Sequence, residues 1–139
     1  MMRYFLTFLV PLVATVTLAG CGSDNNINVP TTPTTPTQIT VTFSGTLNVN
    51  GAATYNFPVE RAGQVSAQIK ALSDQAATIG LNLGTWNGQS CAIIIANTNA
   101  VLNTTVIGTA STSGNFCVWL NDVGKLTAGV DYSVDVTHF

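Results

Sequence analysis

Few side chains in this 139-residue sequence are equipped for chemistry: one histidine, three cysteines, two tryptophans and six acids. His138 stands in "VDVTHF", at the end of an apparent strand. A serine or cysteine nucleophile needs a histidine that a third group orients; here a solvated or packed ring is expected instead. Zinc sites draw on several Cys or His ligands, and the chain does not group them. Calcium wants about six to eight oxygens, several of them from carboxylates. The acids are scattered singly, with no Asp-x-Asp cluster. Asp74 in "LSDQ" and Asp122 in "NDVG" are the best calcium candidates. Each reads more readily as a turn former whose carboxylate caps backbone N–H groups. No spacing supports a glycosidase-like carboxylate pair, so the inventory predicts a non-catalytic chain without a cofactor.

The cysteines divide into one and two. Cys21 closes "LAGC", at the end of the apolar run 5–18, which follows Arg3. A charged start, a short apolar stretch and small residues before a cut form the secretory pattern. The run is short for a membrane span, which takes about 20 residues. A buried core helix is the competing reading, and the polar segment that follows at once opposes it. Leu18-Ala19-Gly20-Cys21 resembles the bacterial lipobox at all four positions. The resemblance implies residues 1–20 as signal peptide, Cys21 as the acylated first residue, and a membrane anchor through a diacylglycerol usually joined by an N-acyl chain. Two or more chains hold stably where one is marginal. Ordinary cleavage leaving a free Cys21 thiol is the alternative. Residues 22–38 carry Pro30, Pro33 and Pro36 among Thr and Asn. They show no apolar periodicity and read as an extended tether of up to roughly 50 Å. Gly22 and Ser23, with no Asp directly after Cys21, imply the outer membrane by the rule for lipoproteins as a class. Cys91 and Cys117 are the remaining pair. In an exported domain they read as one disulfide, contributing about 3–4 kcal/mol by chain entropy.

Charge narrows the partners. From Cys21 onward Arg61, Lys70 and Lys125 face six acids, a net charge of −3. Nucleic-acid binding needs clustered Lys and Arg, so it is not expected. The surface must be built from Thr, Asn, Ser and Gly.

Residues 39–139 alternate with period two. Ile39, Val41 and Phe43 fall on one side of "ITVTFSGTL"; Tyr55, Phe57 and Val59 share a side of "ATYNFPV". Val65, Ala67 and Ile69 recur in "QVSAQIKAL", and Ile79, Leu81 and Leu83 in "TIGLNLGTW". Phe116, Val118 and Leu120 fall on one side of "NFCVWLND"; Tyr132, Val134 and Val136 do so in "DYSVDVTHF". With "CAIIIAN" and "TTVIGTA" the count reaches about eight strands, and an antiparallel β-sandwich is predicted. The Ala-rich "RAGQVSAQIKALSDQAA" tempts a helix assignment, but its alternation favours a strand. Strand parity sends Cys117 and Trp119 to the outer surface. Trp119 then stacks on a sugar ring or a partner chain, or covers the disulfide. Trp86, in the turn-like "GTWNG", is expected to plug one end of the sandwich, with a binding role as the alternative.

The succession "FSGTL", "YNFPV", "GQVSAQIKAL", "IGLNLGTWNGQSC", "GNFCVWLNDVGKL" and "DYSVDVTH" resembles the bacterial pre-peptidase C-terminal (PPC) domain over nearly all of residues 39–139. The resemblance implies a jelly-roll-like sandwich in an accessory or binding role, with calcium in some members. No enzyme is expected beside the domain, so what it assists, if anything, is expected to be another molecule. A lipid-anchored binding or adhesion module of the cell envelope is therefore expected, its partner an envelope protein or a glycan. A structural subunit of a surface assembly is the alternative, and an enzyme a distant third.

Overall fold

A computed structural model describes residues 37–139. The signal-like run, Cys21 and nearly all of the Thr/Pro segment lie outside the described residues. The described chain forms eight strands: β1 (Ile39–Leu47), β2 (Ala52–Val59), β3 (Gly63–Leu72), β4 (Ile79–Trp86), β5 (Cys91–Ala100), β6 (Thr105–Ala110), β7 (Gly114–Asn121) and β8 (Val130–His138). They pair antiparallel in two four-stranded sheets, β1-β8-β3-β6 and β2-β7-β4-β5. The alternation predicts the antiparallel sandwich; the strand order is that of a jelly roll, the form implied by the PPC resemblance. Successive strands mostly cross from one sheet to the other. Only β4 and β5 are sequence neighbours that also pair, so they make the one hairpin within a sheet.

The alternating residues face inward as expected. Val65, Ala67 and Ile69 on β3 and Val134 and Val136 on β8 meet Leu81, Val118, Leu120 and Phe57 of the other sheet in one core. Each such large side chain contributes about 1.5–3 kcal/mol by leaving water. The Ala-rich stretch is a strand over Gly63–Leu72 and a turn beyond it, where the Ala77 N–H donates to the Asp74 carbonyl. Lys70 points outward by alternation, and a register shift between Ile69 and Ala71 lets Leu72 return to the core. β1 is graded rather than uniformly half-buried: Leu47 is 1% exposed, whereas Ile39, at the free end of this edge strand, is 49% exposed.

Polar groups also join the sheets. The Tyr55 and Tyr132 hydroxyls hydrogen-bond at 2.8 Å. Burial, then the bond with Tyr55, raises the Tyr132 phenol above its ordinary pKa. His138 is 1% exposed and stacks on Phe57 with centroids 5.1 Å apart. Its Nδ1 lies 3.2 Å from the Phe139 carbonyl, and Nε2 is buried without a partner. It is a packed residue of the interior, the bland alternative to a catalytic one.

Candidate functional site

Strand β4 is buried on both faces. Ile79, Leu81 and Leu83 enter the core, while Gly80, Asn82 and Gly84 are covered on the outer side. Asn82 is 2% exposed there. Its Nδ2 donates to the Trp119 carbonyl at 3.0 Å and to Asn121 Oδ1 at 3.1 Å, and its Oδ1 accepts from the Asn97 N–H at 3.3 Å. One amide thus links β7, β4 and β5, satisfying a polar group that would be costly to bury alone.

Gly84 governs what lies above it. The β4–β5 register shifts between Leu83 and Gly84, and a Cβ on Gly84 would overlap the Ala92 carbonyl. The start of β5 therefore leans across the outer face of β4, an approach that glycine permits. The consequence is measurable. Strands on either side of a third lie about 10 Å apart in a flat sheet, yet the Cα atoms of Cys91 on β5 and Cys117 on β7 are 5.8 Å apart and their sulfurs are bonded. The expected disulfide is present and pins the leaning hairpin to β7. The hairpin tip is fixed as well. Asn87 Oδ1 accepts from the N–H groups of Gln89 and Ser90 at 2.9 and 2.8 Å, and Asn87 Nδ2 donates to Ser90 Oγ at 3.1 Å. Gly88 takes the left-handed turn position with φ 98°.

Between this hairpin and its neighbours lies an open depression of about 360 Å³. Thr54 of β2 and Trp119 of β7, partners in the ladder, form one side. Trp86, Gln89, Ser90, Cys91 and Ile93 of the hairpin form the other. Two expectations need correction here. Trp86 plugs no end of the sandwich: it is half-buried, lies outside the core cluster and lines the outer depression. Cys117 points away from the core as parity requires, but it is fully buried, because the folded-over hairpin covers it. Trp119 does face outward and is half-buried. The structure thus brings Trp119 beside the bridge, one of the places expected of it, and adds Trp86, which spacing in the sequence did not indicate.

No protein-family model matches the chain, and no curated protein matches it in sequence. Solved structures do. The Yersinia pseudotuberculosis-derived mitogen is similar with a TM-score of 0.59 and 18% identity, over 74% of this chain and 88% of that one. Aeromonas hydrophila PliG, a periplasmic inhibitor of g-type lysozyme, is similar with a TM-score of 0.52 and 16% identity, over 70% of this chain and 84% of that one. At these identities the likeness is one of fold.

The other candidates fall elsewhere. Asp122 Oδ1 accepts from the N–H groups of Gly124, Lys125 and Leu126 at 2.8, 3.0 and 3.2 Å, and its Oδ2 from that of Asn50 at 2.9 Å. The Asn50 bond leads in holding its carboxyl below the ordinary range; burial opposes it next in size, and the bonds from Leu126, Lys125 and Gly124 add to the lowering. Asp74 Oδ1 accepts from the Ala76 N–H at 2.9 Å. Both are turn formers, with Asp122 already holding four backbone donors. Among the described residues no three His, Cys, Asp or Glu side chains gather as a metal site would require. Gly84, Asn82, Thr54 and Ile93 were missed by sequence reasoning. Ile93 had a signal: three successive isoleucines in "CAIIIAN" are more than one buried face of an edge strand can hide. Gly84 had none, since alternation alone says nothing of a backbone crossing above it.

Proposed function

We propose that this chain is a lipid-anchored envelope protein whose β-sandwich is a non-catalytic binding module, with the Trp86–Trp119 depression as its contact site. The observation that carries the reading is this pair of half-buried indoles, on different strands, in one depression whose wall is locked by a disulfide. Aromatic anchors in preorganised pockets carry much of the affinity at binding sites. The Leu18–Cys21 match to the lipobox supports the anchor and, with Gly22 and Ser23, the outer membrane. The disulfide supports an oxidising, extracytoplasmic compartment. The likeness to the PPC domain supports an accessory role, and the similar fold of a periplasmic lysozyme inhibitor supports a binding one.

Two measurements test this reading. Mass spectrometry of the mature N-terminus should find acylated Cys21; an unmodified thiol there refutes the anchor. Capture from detergent-solubilised envelope should recover a partner with the native chain and lose it with Trp119→Ala. Undiminished capture by that variant refutes the depression as the contact site.

A second reading, a subunit of a surface assembly, draws on the free edges. β5 and β6 end their sheets, and Ile94 on β5 and Ile107 on β6 are 67% and 55% exposed. Unpaired apolar edges are templates for another chain.

A further inference from the structure

We infer that the ligand of the Trp86–Trp119 depression is an uncharged glycan, built from neutral pyranose rings. The inference rests on the depression being the contact site proposed above, and adds the chemistry of what enters it. Its basis is a gap in the charge pattern. No charged side chain occurs between Asp74 and Asp122, and β2 has none. All four strands of the sheet that carries the depression are therefore free of charged side chains. An ionic ligand would shed water there and gain no counter-charge. Protein partners commonly add charge complementarity around such anchors, which the strands of this face do not offer.

What the depression does offer suits a sugar. The face of an indole carries the negative end of its quadrupole, and the C–H face of a pyranose is weakly positive and apolar, so the two stack. The rim presents the hydroxyls of Thr54 and Ser90 and the amide of Gln89. These groups both donate and accept, as sugar hydroxyls do. Ser90 is held ready: its oxygen accepts from Asn87 Nδ2, which leaves its proton to donate outward. The bridge holds the start of β5 and the Asn87 turn holds Ser90 before any ligand arrives, so less ordering opposes binding. The volume, about 360 Å³, falls in the usual range of small-ligand sites, roughly 300–1,000 Å³.

The chain supplies its own reporter, because both of its tryptophans line the depression. The full chain in detergent is titrated with neutral oligomers of glucose, mannose and N-acetylglucosamine, and with acidic oligomers of uronic acid, while tryptophan fluorescence is followed. At least one neutral series should give a saturable change that a tenfold rise in salt leaves intact. Trp86→Ala and Trp119→Ala should each weaken binding at least tenfold. Trp119→Phe and Thr54→Ala, which leave the core untouched, should weaken it only severalfold and so separate loss of contact from loss of fold. The inference is overturned if no neutral oligomer binds, if an acidic one binds better and in a salt-sensitive way, or if Trp119→Ala binds undiminished. Should envelope capture still depend on Trp119 while no neutral sugar binds, the occupant is a protein and the binding-module reading survives alone. If capture ignores Trp119 as well, both fail.

Discussion

The two sheets use the same fold to opposite ends. The outer face of β1-β8-β3-β6 is open and conventionally polar: Thr40 and Thr137 hydroxyls meet at 2.8 Å, and Thr42 and Thr46 donate to Asp135 and Asp131. Water can replace any of these bonds. The strands β2-β7-β4-β5 bear no charged side chain and their outer face is partly roofed by their own hairpin; Asn82 and Cys117 there are as buried as core residues. A sheet of a two-layer sandwich ordinarily has one dry face. Here the charge-free sheet has acquired a second, smaller one, and the candidate site lies at its margin. An outer face thus becomes a built site when backbone crosses over it and is held there.

Removing the clamp should do the most damage. Cys91→Ala with Cys117→Ala opens a loop with a sequence separation of 26 and should cost about 3–4 kcal/mol, read as a lower midpoint in denaturant. A loss under about 1 kcal/mol would mean that the hairpin holds its place without the bridge. Gly84→Ala comes next. It sets a Cβ against the Ala92 carbonyl, backbone that cannot rotate aside, and should cost about 2–3 kcal/mol. Gly80→Ala meets only the Asn121 side chain, which can move at the expense of its bond from Asn82 Nδ2, and should cost less than Gly84→Ala. Equal losses at the two glycines would remove the crossing as the cause. Third, Asn82→Ala leaves three partners on β5 and β7 unanswered and should cost about 1–3 kcal/mol.

Acid probes the junction after β7. The Asp122 carboxyl is held below the ordinary range by backbone donors, chiefly Asn50. Its stabilising contribution is therefore full above the unfolded-state value, roughly pH 4, and is lost as pH falls through the lower folded value. The melting temperatures of native and Asp122→Asn chains should converge as pH drops below about 4; a constant gap would refute the assignment. The smallest effect belongs to the open sheet. Thr42→Ala should change stability by less than about 0.5 kcal/mol, and a larger loss would erase the contrast between the two faces.

Much of this was legible in the residues. Alternation in "QVSAQIKAL", "TIGLNLGTW" and "DYSVDVTHF" determines which side chains are inside, because a pleated strand sends successive residues to opposite faces. Two cysteines in an exported domain imply their bond, and parity sends Trp119 outward. Parity is also where the sequence stops. It predicted an outer Cys117 and could not foresee that it would be covered. It left Trp86 free to be a plug, because "GTWNG" reads as a turn, whereas the fold extends β4 to Trp86 and pairs it with Cys91. Those outcomes depend on a crossing between residues near in sequence but apart in a flat sheet, set by the missing Cβ of Gly84 and fixed by a bond to a strand 26 residues on. Local periodicity decides which way each side chain points; what lies above it is decided by tertiary structure, since the covering chain arrives from elsewhere in the fold.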